Sequence, residues 1–289
     1  MDNSVALTIN SEPGWHRTWR RFASNRLALA SVIFLLLLHA LVGIGPLLVP
    51  HSPETTNPRN SFMGPSAEHW LGTDELGRDE LSRLLHGGRV TLAVGMFSMV
   101  VAVVVGTAIG ALAGYLGDVV DTLLMRFTDA MMAIPAFFLV LAAVTLLGSS
   151  PVFLVLIIGL TSWMQVARVV YGEVLKWRDS EFVQAARAVG VGGTRILVRH
   201  ILPQCVPSII VSATMGVAYA ILVETAISYL GLGIQPPMPS WGNMLQNAQQ
   251  YLWMMPSLAV YPGVATMLTV LAYNFLGDGL RDALDPRSR

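Results

Sequence analysis

The sequence predicts an all-α membrane protein with about six transmembrane helices and both termini in the cytoplasm. Three observations carry that prediction. The first is composition: 54% of the 289 residues are hydrophobic and 12% are charged, about half the charged share of an ordinary soluble domain. Mean hydropathy is +0.59. The second is the recurrence of apolar runs of about 20 residues, the length that crosses a hydrocarbon core about 30 Å thick. The third is the placement of arginine between those runs.

The spans follow in order. The first runs from Leu27 to Val49. It is longer than the apolar core of a cleaved leader, which has roughly 7–15 residues, and no small-x-small cleavage site follows. It therefore reads as a retained anchor. The second covers Val90 to Tyr115 and carries Gly106, Gly110 and Gly114. This small-xxx-small spacing lets a neighbouring backbone approach closely and predicts helix packing. The third runs from about Thr122 to Leu147, the fourth from Val152 to Val170, the fifth from Val206 to Leu230 and the sixth from Ser257 to Leu276.

Arginine sets the orientation. Arg17, Arg20, Arg21 and Arg26 precede span one, and Lys176, Arg178, Arg187, Arg195 and Arg199 lie between spans four and five. The end adds Arg281, Arg287 and Arg289. The segment from Gly231 to Pro256 has no Lys or Arg, and Pro50 to Arg89 has four Arg against six Asp and Glu. The positive-inside rule places the first set in the cytoplasm. The regions are then residues 1–26, an N-terminal interfacial helix; 27–276, the membrane domain, with external loop 50–89 and cytoplasmic loop 171–205; and 277–289, a cytoplasmic tail. Trp15, Trp19 and Phe22 fall on one face of the first region and its arginines on another, the pattern of a helix lying in the membrane interface.

Net charge is zero, so nothing in the balance calls for nucleic acid. The single Cys205 excludes an internal disulfide and reads as a buried thiol. His69 and His86 read as exposed and lack metal-ligand spacing, so no metal site is assigned. Asp79 to Leu85 reads as an amphipathic helix on the outer surface. Asp129, near the cytoplasmic end of span three, and Glu224, within span five, are intramembrane acids and functional candidates by default. Glu224 either faces a pathway or pairs with Arg126, Arg168 or a group on a partner; the pairing is preferred.

The cytoplasmic loop holds the most specific signal. Its small residues Ala185 and Ala186 follow Gln184 on a predicted helix, Gly190, Gly192 and Gly193 break it, and a second helical piece, Thr194 to Ile201, ends at Leu202 and Pro203. Such a knob suits docking into another protein. The run Gln184-Ala185-Ala186-x3-Gly190-x9-His200-x-Leu202-Pro203 resembles the EAA motif of bacterial ABC importer permeases, with Gln184 for Glu and His200 for Ile. Further matches cover nearly the whole chain. His69 to Asp79 with Ser82-Arg83 is similar to the HxLGTDxLGRDxxSR stretch of the C-type permeases of dipeptide, oligopeptide and nickel importers. Tyr229 to Gly233, Gln235-Pro236-Pro237 and Trp241-Gly242 resemble that subfamily's last external loop, and Asn274 to Asp282 with Leu284-Asp285-Pro286 its C-terminus.

The resemblance implies the type I importer permease fold in the bacterial cytoplasmic membrane. It implies a heterodimer with a homologous B-type permease, two ABC ATPase subunits beneath it, and an extracytoplasmic solute-binding protein. Gln184, Ala185, Ala186, Arg187, Gly190, His200, Leu202 and Pro203 would couple to an ATPase. Trp70, Gly72, Asp74, Arg78 and Asp79 would belong to the binding-protein platform. The chain itself is expected to be non-catalytic and to carry no cofactor, ATP and Mg²⁺ being bound by the partner ATPases; it has no G-x4-G-K-[ST] loop. Di- or oligopeptides are the expected solutes, with nickel or a metal chelate as the alternative. A proton-coupled secondary transporter using Asp129 and Glu224 is the rival from another class. It would leave the cytoplasmic knob without a purpose.

Overall fold

The structure is a computed structural model that describes residues 14–284, with side chains from Thr18 onward. The calls on Trp15, Arg17, Arg287, Arg289, Asp285 and Pro286 lie outside those described residues or side chains. Eleven α-helices are formed among the described residues: α1 Gly14–Ser24, α2 Arg26–Leu48, α3 Glu80–Leu116, α4 Asp118–Met132, α5 Ala136–Leu147, α6 Pro151–Arg178, α7 Glu181–Ala188, α8 Gly193–Ile196, α9 Leu202–Tyr229, α10 Trp241–Ala248 and α11 Ser257–Leu284. Five are long and apolar enough to cross a membrane, and the bent pair α4–α5 makes a sixth.

Span one, α2, starts at Asn25, whose side chain accepts from the Ala28 N–H, so one of the orphan donors of the first turn is satisfied. Only the stripe Ala28, Ser31, Leu35, Val42 and Gly45 is buried; the leucines around it face lipid. Near its end Pro46 has no N–H, which frees the carbonyl of Val42. Arg89 of α3 donates Nε to that carbonyl at 2.9 Å and a terminal nitrogen to the Gly43 carbonyl. The charge reaches the helix end most favourable for a cation.

The most extensive helix pairing is α3 with α6. It is built on the glycines singled out in span two. A Cβ on Gly106 would lie 2.6 Å from the Trp163 carbonyl oxygen, and one on Gly114 2.9 Å from Val174 Cβ. Gly159 of α6 returns the contact against the Ser98 carbonyl. The two backbones therefore touch, as the spacing predicted. Around this seam lie Met164, Val166, Ala167, Val170 and Val174, all buried.

Two expectations change, and two helices run on past the predicted spans. Span three is not one helix: α4 and α5 meet at 83°. Pro135 lacks a donor and disfavours helical geometry at Ile134, so the helix breaks there. Asp79 to Leu85 is not a separate helix on the surface but the capped start of α3, whose 37 residues span about 55 Å at 1.5 Å each. The helix that carries span four runs on to Arg178, and the one that carries span six runs on to Leu284.

Candidate functional site

The cytoplasmic knob is α7 with the turn that follows. Val183 and Ala186 are its buried residues and join the main core beside Val174, Ile196 and Ile201. Gln184, Ala185, Arg187, Val189 and Gly190 are exposed. Two bonds close the helix: Gly190 N–H donates to the Arg187 carbonyl at 2.9 Å, and Val191 N–H to the Ala186 carbonyl at 3.0 Å. This is a Schellman cap. It needs a left-handed residue at Gly190, where φ is +80°, and it explains why alanine and glycine stand four positions apart in the motif. Gln184 Nε2 donates to the Asp179 carbonyl at 3.0 Å, across the turn that enters α7.

The knob is tied to the spans at several points. Arg178 donates to the Gly114 carbonyl at 3.0 Å, fixing the end of α6 to the end of α3. Tyr171 donates to Asp121 at 2.9 Å and Ser208 to Glu173 at 2.9 Å. Trp177 and Phe182 rings pack at 5.9 Å. Beyond the turn, the second helical piece does not end at Leu202 and Pro203. It passes through a π-helical stretch, Leu197–Ile201, into α9. Leu202 N–H reaches back to the Leu197 carbonyl, and Pro203 then sits in the first turn of α9, where its missing N–H costs nothing. His200 is half-buried and Ile201 next to it fully buried; Pro203 is exposed. The segment after α7 is thus continuous with α9.

The intramembrane acids part company. Asp129 pairs with Arg168 of α6, with both side chains about two-fifths exposed, 38% and 43%. Glu224 does not pair with Arg126 or Arg168. It is fully buried near the outer end of α9, where Ser228 donates to it at 2.7 Å and Thr91, Thr225 and Ser240 surround it. Ser228 also accepts from Ile234 N–H at 3.0 Å. Trp241 reinforces the same junction, its backbone N–H on Thr91 and its indole N–H on the Leu84 carbonyl at 3.0 Å. Glu224 is therefore enclosed by hydroxyls of α3, α9 and the last external loop.

The external loop is a folded cap. Asp74 accepts from the Leu76 and Arg78 N–H groups, from Arg78 Nε at 2.6 Å and from Arg83 at 3.4 Å. Arg78 also reaches Glu75 at 2.8 Å. Asp79 caps α3 through Ser82 N–H at 2.7 Å and takes His69 Nδ1 at 2.9 Å. Gly72 has φ +82° and stands against the Met63 carbonyl. Of the residues assigned to a platform, Asp74, Arg78, Asp79 and Gly72 are buried and shape the loop; Trp70, 70% exposed, is what it presents. His69 is buried, contrary to the expectation from sequence. Sequence reasoning missed Trp253 and Met254, fully and largely exposed beside Trp70's loop, which Tyr251 joins by stacking on Phe62 at 4.9 Å. Their only signal was an apolar cluster, Leu252 to Met254, in a segment with no Lys or Arg.

A bundle of five to six membrane-crossing helices, with a capped short helix between α6 and α9 and a folded cap between α2 and α3, is the architecture of a multi-span membrane protein. The chain belongs to the family described as binding-protein-dependent transport system inner membrane component, whose model matches residues 106–289. The model for the N-terminal transmembrane domain of oligopeptide transport permease C matches residues 14–65. The chain is 41% identical to the dipeptide transport system permease protein DppC of Alkalihalophilus pseudofirmus, covering 95% of this chain and 90% of the relative. It is 42% identical to the glutathione transport system permease protein GsiD of Pectobacterium atrosepticum, covering 94% and 91%. Its fold matches a chain of the MetNI methionine ABC transporter, solved in inward-facing conformations, with TM-score 0.58 and 17% identity over 70% of this chain and 97% of that one. It is the inner-membrane permease subunit of an ABC importer of the binding-protein-dependent type, in the oligopeptide-permease C group.

Proposed function

We propose that this permease forms half of an import path for short peptides, glutathione-like peptides included, together with a homologous second permease. Two ATP-binding subunits bind ATP and Mg²⁺ and hydrolyse the nucleotide, while this chain performs no chemistry. The observation that carries the coupling role is the capped knob. Ala185 and Val189 stand exposed on a helix whose other face is locked into the core by Val183 and Ala186. A partner that grips the exposed face moves the spans, as a coupled two-state element requires. The peptide assignment rests on the names of the two relatives, at 41% and 42% identity.

Outside, Trp70, Trp253 and Met254 are the apolar contacts offered to a solute-binding protein.

Gly190→Pro is the direct test. Proline fixes φ near −65°, incompatible with +80° at this position, and deletes the N–H that closes the cap. The variant is expected to insert in the membrane and to lose uptake of a labelled dipeptide and of glutathione. Normal uptake would refute the coupling role. Purification of the tagged chain in mild detergent should bring a second permease and two ATPase chains; a transport-competent chain recovered alone overturns the assembly.

A further inference from the structure

Two histidines meet in the external cap, one at the exit of span one and one in the loop. The His51 and His69 rings lie 4.7 Å apart between centroids. One donor atom from each of His51, His69 and Asp79 falls within 4.8 Å of the others. The hydrogen bonds around the rings set their tautomers. His69 Nδ1 donates to Asp79 Oδ2 at 2.9 Å, which leaves Nε2 as a lone pair. That Nε2 is buried and meets no donor in the protein, although the side chain is only 7% exposed. His51 Nε2 donates to the Glu68 carbonyl at 3.1 Å, which leaves its Nδ1 as a lone pair as well. A buried acceptor with no partner costs free energy unless something fills it.

We infer that His51 and His69 form a binding site for a divalent transition-metal ion of the zinc or nickel kind on the outer face of this permease, with Asp79 as the residue that orients His69. Imidazole nitrogen is the preferred donor for such ions. The Asp79–His69 hydrogen bond is the carboxylate–histidine arrangement that fixes the tautomer of a ligating ring and raises its basicity. Donor atoms around a tetrahedral zinc stand about 3.3 Å apart, from bonds of about 2.0–2.1 Å. The free nitrogens of the two rings must therefore come together, a movement open to half-buried His51. Water completes the coordination from the exposed side of His51. The ion would join the exit of α2 to the middle of the cap and, through the Asp79–His69 hydrogen bond, to the N-cap of α3. It is a bound ion that staples the cap and is separate from the solute carried through the spans.

The rival explanation is a stacked imidazole pair with a structural hydrogen bond to Asp79. The two are separated by metal binding to the full-length chain, purified on a tag without histidines, together with the subunits it retains, and washed with chelator. ZnCl₂ and NiCl₂ are then titrated against a chromophoric competitor. Wild type is expected to bind one ion per chain that His51→Ala lacks, with affinity at least about tenfold weaker in the variant. His86→Ala, whose ring is held by the Ser82 carbonyl, should retain it. His69→Gln should lose it as well. If that variant does not fold, His51→Ala decides alone, because His51 is half-exposed and removable. Equal binding by wild type and His51→Ala, or no binding by wild type, overturns the site. Neither result bears on uptake or on partner recovery, so the importer reading stands or falls separately.

Discussion

Alanine at Gly106 tests the seam on which the bundle is built. A Cβ there would sit 2.6 Å from the Trp163 carbonyl oxygen, 2.7 Å from Val166 Cβ and 3.0 Å from the Ala167 nitrogen. Ordinary contact begins near 3.4 Å, so α6 must retreat by about 0.8 Å, the difference between 3.4 and 2.6 Å. The opposing atoms are backbone and a β-branched carbon, which cannot swing away. Overpacking of this kind costs about 1–3 kcal/mol. Alanine returns up to about 1 kcal/mol through helix propensity, so the net loss is about 0–2 kcal/mol, whereas against a control that gains the propensity without the clash the full loss of about 1–3 kcal/mol is read.

Gly172, on α6 itself, has nothing within 4 Å of its Cβ position and is the matched control. At about 2–4 °C per kcal/mol for a chain of this size, Gly106→Ala should have an apparent Tm about 2–12 °C below that of Gly172→Ala. The assay is thermal unfolding of the purified protein in detergent, read by size-exclusion fluorescence. Gly172→Ala should not lower it. Gly159→Ala, which meets the Ser98 carbonyl at 2.7 Å, should behave like Gly106→Ala. Equal melting of Gly106→Ala and Gly172→Ala, within about 1 °C, would refute the close-contact account of the α3–α6 pair.

Other perturbations probe the cap and the outer junction. Asp74→Ala leaves the buried guanidinium of Arg83 without its close carboxylate partner and should cost about 3–5 kcal/mol, seen as loss of folded protein in the same assay; Glu68→Ala, on the surface, should be neutral. Trp241→Phe removes the indole bond to the Leu84 carbonyl and opens a small void. Thermal unfolding should show about 1–3 kcal/mol lost. Glu224→Gln keeps an acceptor for Ser228 and should assemble and transport near wild-type rate. A folded Glu224→Gln without uptake would show that the charge itself is required.

The sequence by itself determined the class, and it located the short helix and glycine turn between spans four and five. These are local properties. A span is an uninterrupted apolar run, and orientation is a count of arginines. The knob is a short helix closed by a glycine, legible because a Schellman cap fixes the distance from Ala186 to Gly190. The glycine repeat at 106, 110 and 114 announced a close contact but not its partner.

What the tertiary structure decided depends on which helix faces meet. Pro135 turned one apolar run into two helices at 83°, whereas Pro46, Pro203, Pro207 and Pro262 did not divide theirs; at Pro46 the freed Val42 carbonyl accepts from Arg89 instead. Arg168 went to Asp129 and not to Glu224, since α4, not the outer end of α9, lies beside that part of α6. Glu224 found hydroxyls from α3 and the last external loop, more than a hundred residues away at Thr91. His69 paired with Asp79 and stacked on His51, not His86, because the cap folds back on the exit of span one. Hydropathy and periodicity act over one or two helical turns. The pairing of buried polar groups is set by packing between distant segments, where an unmatched group at low dielectric is costly enough to select its partner.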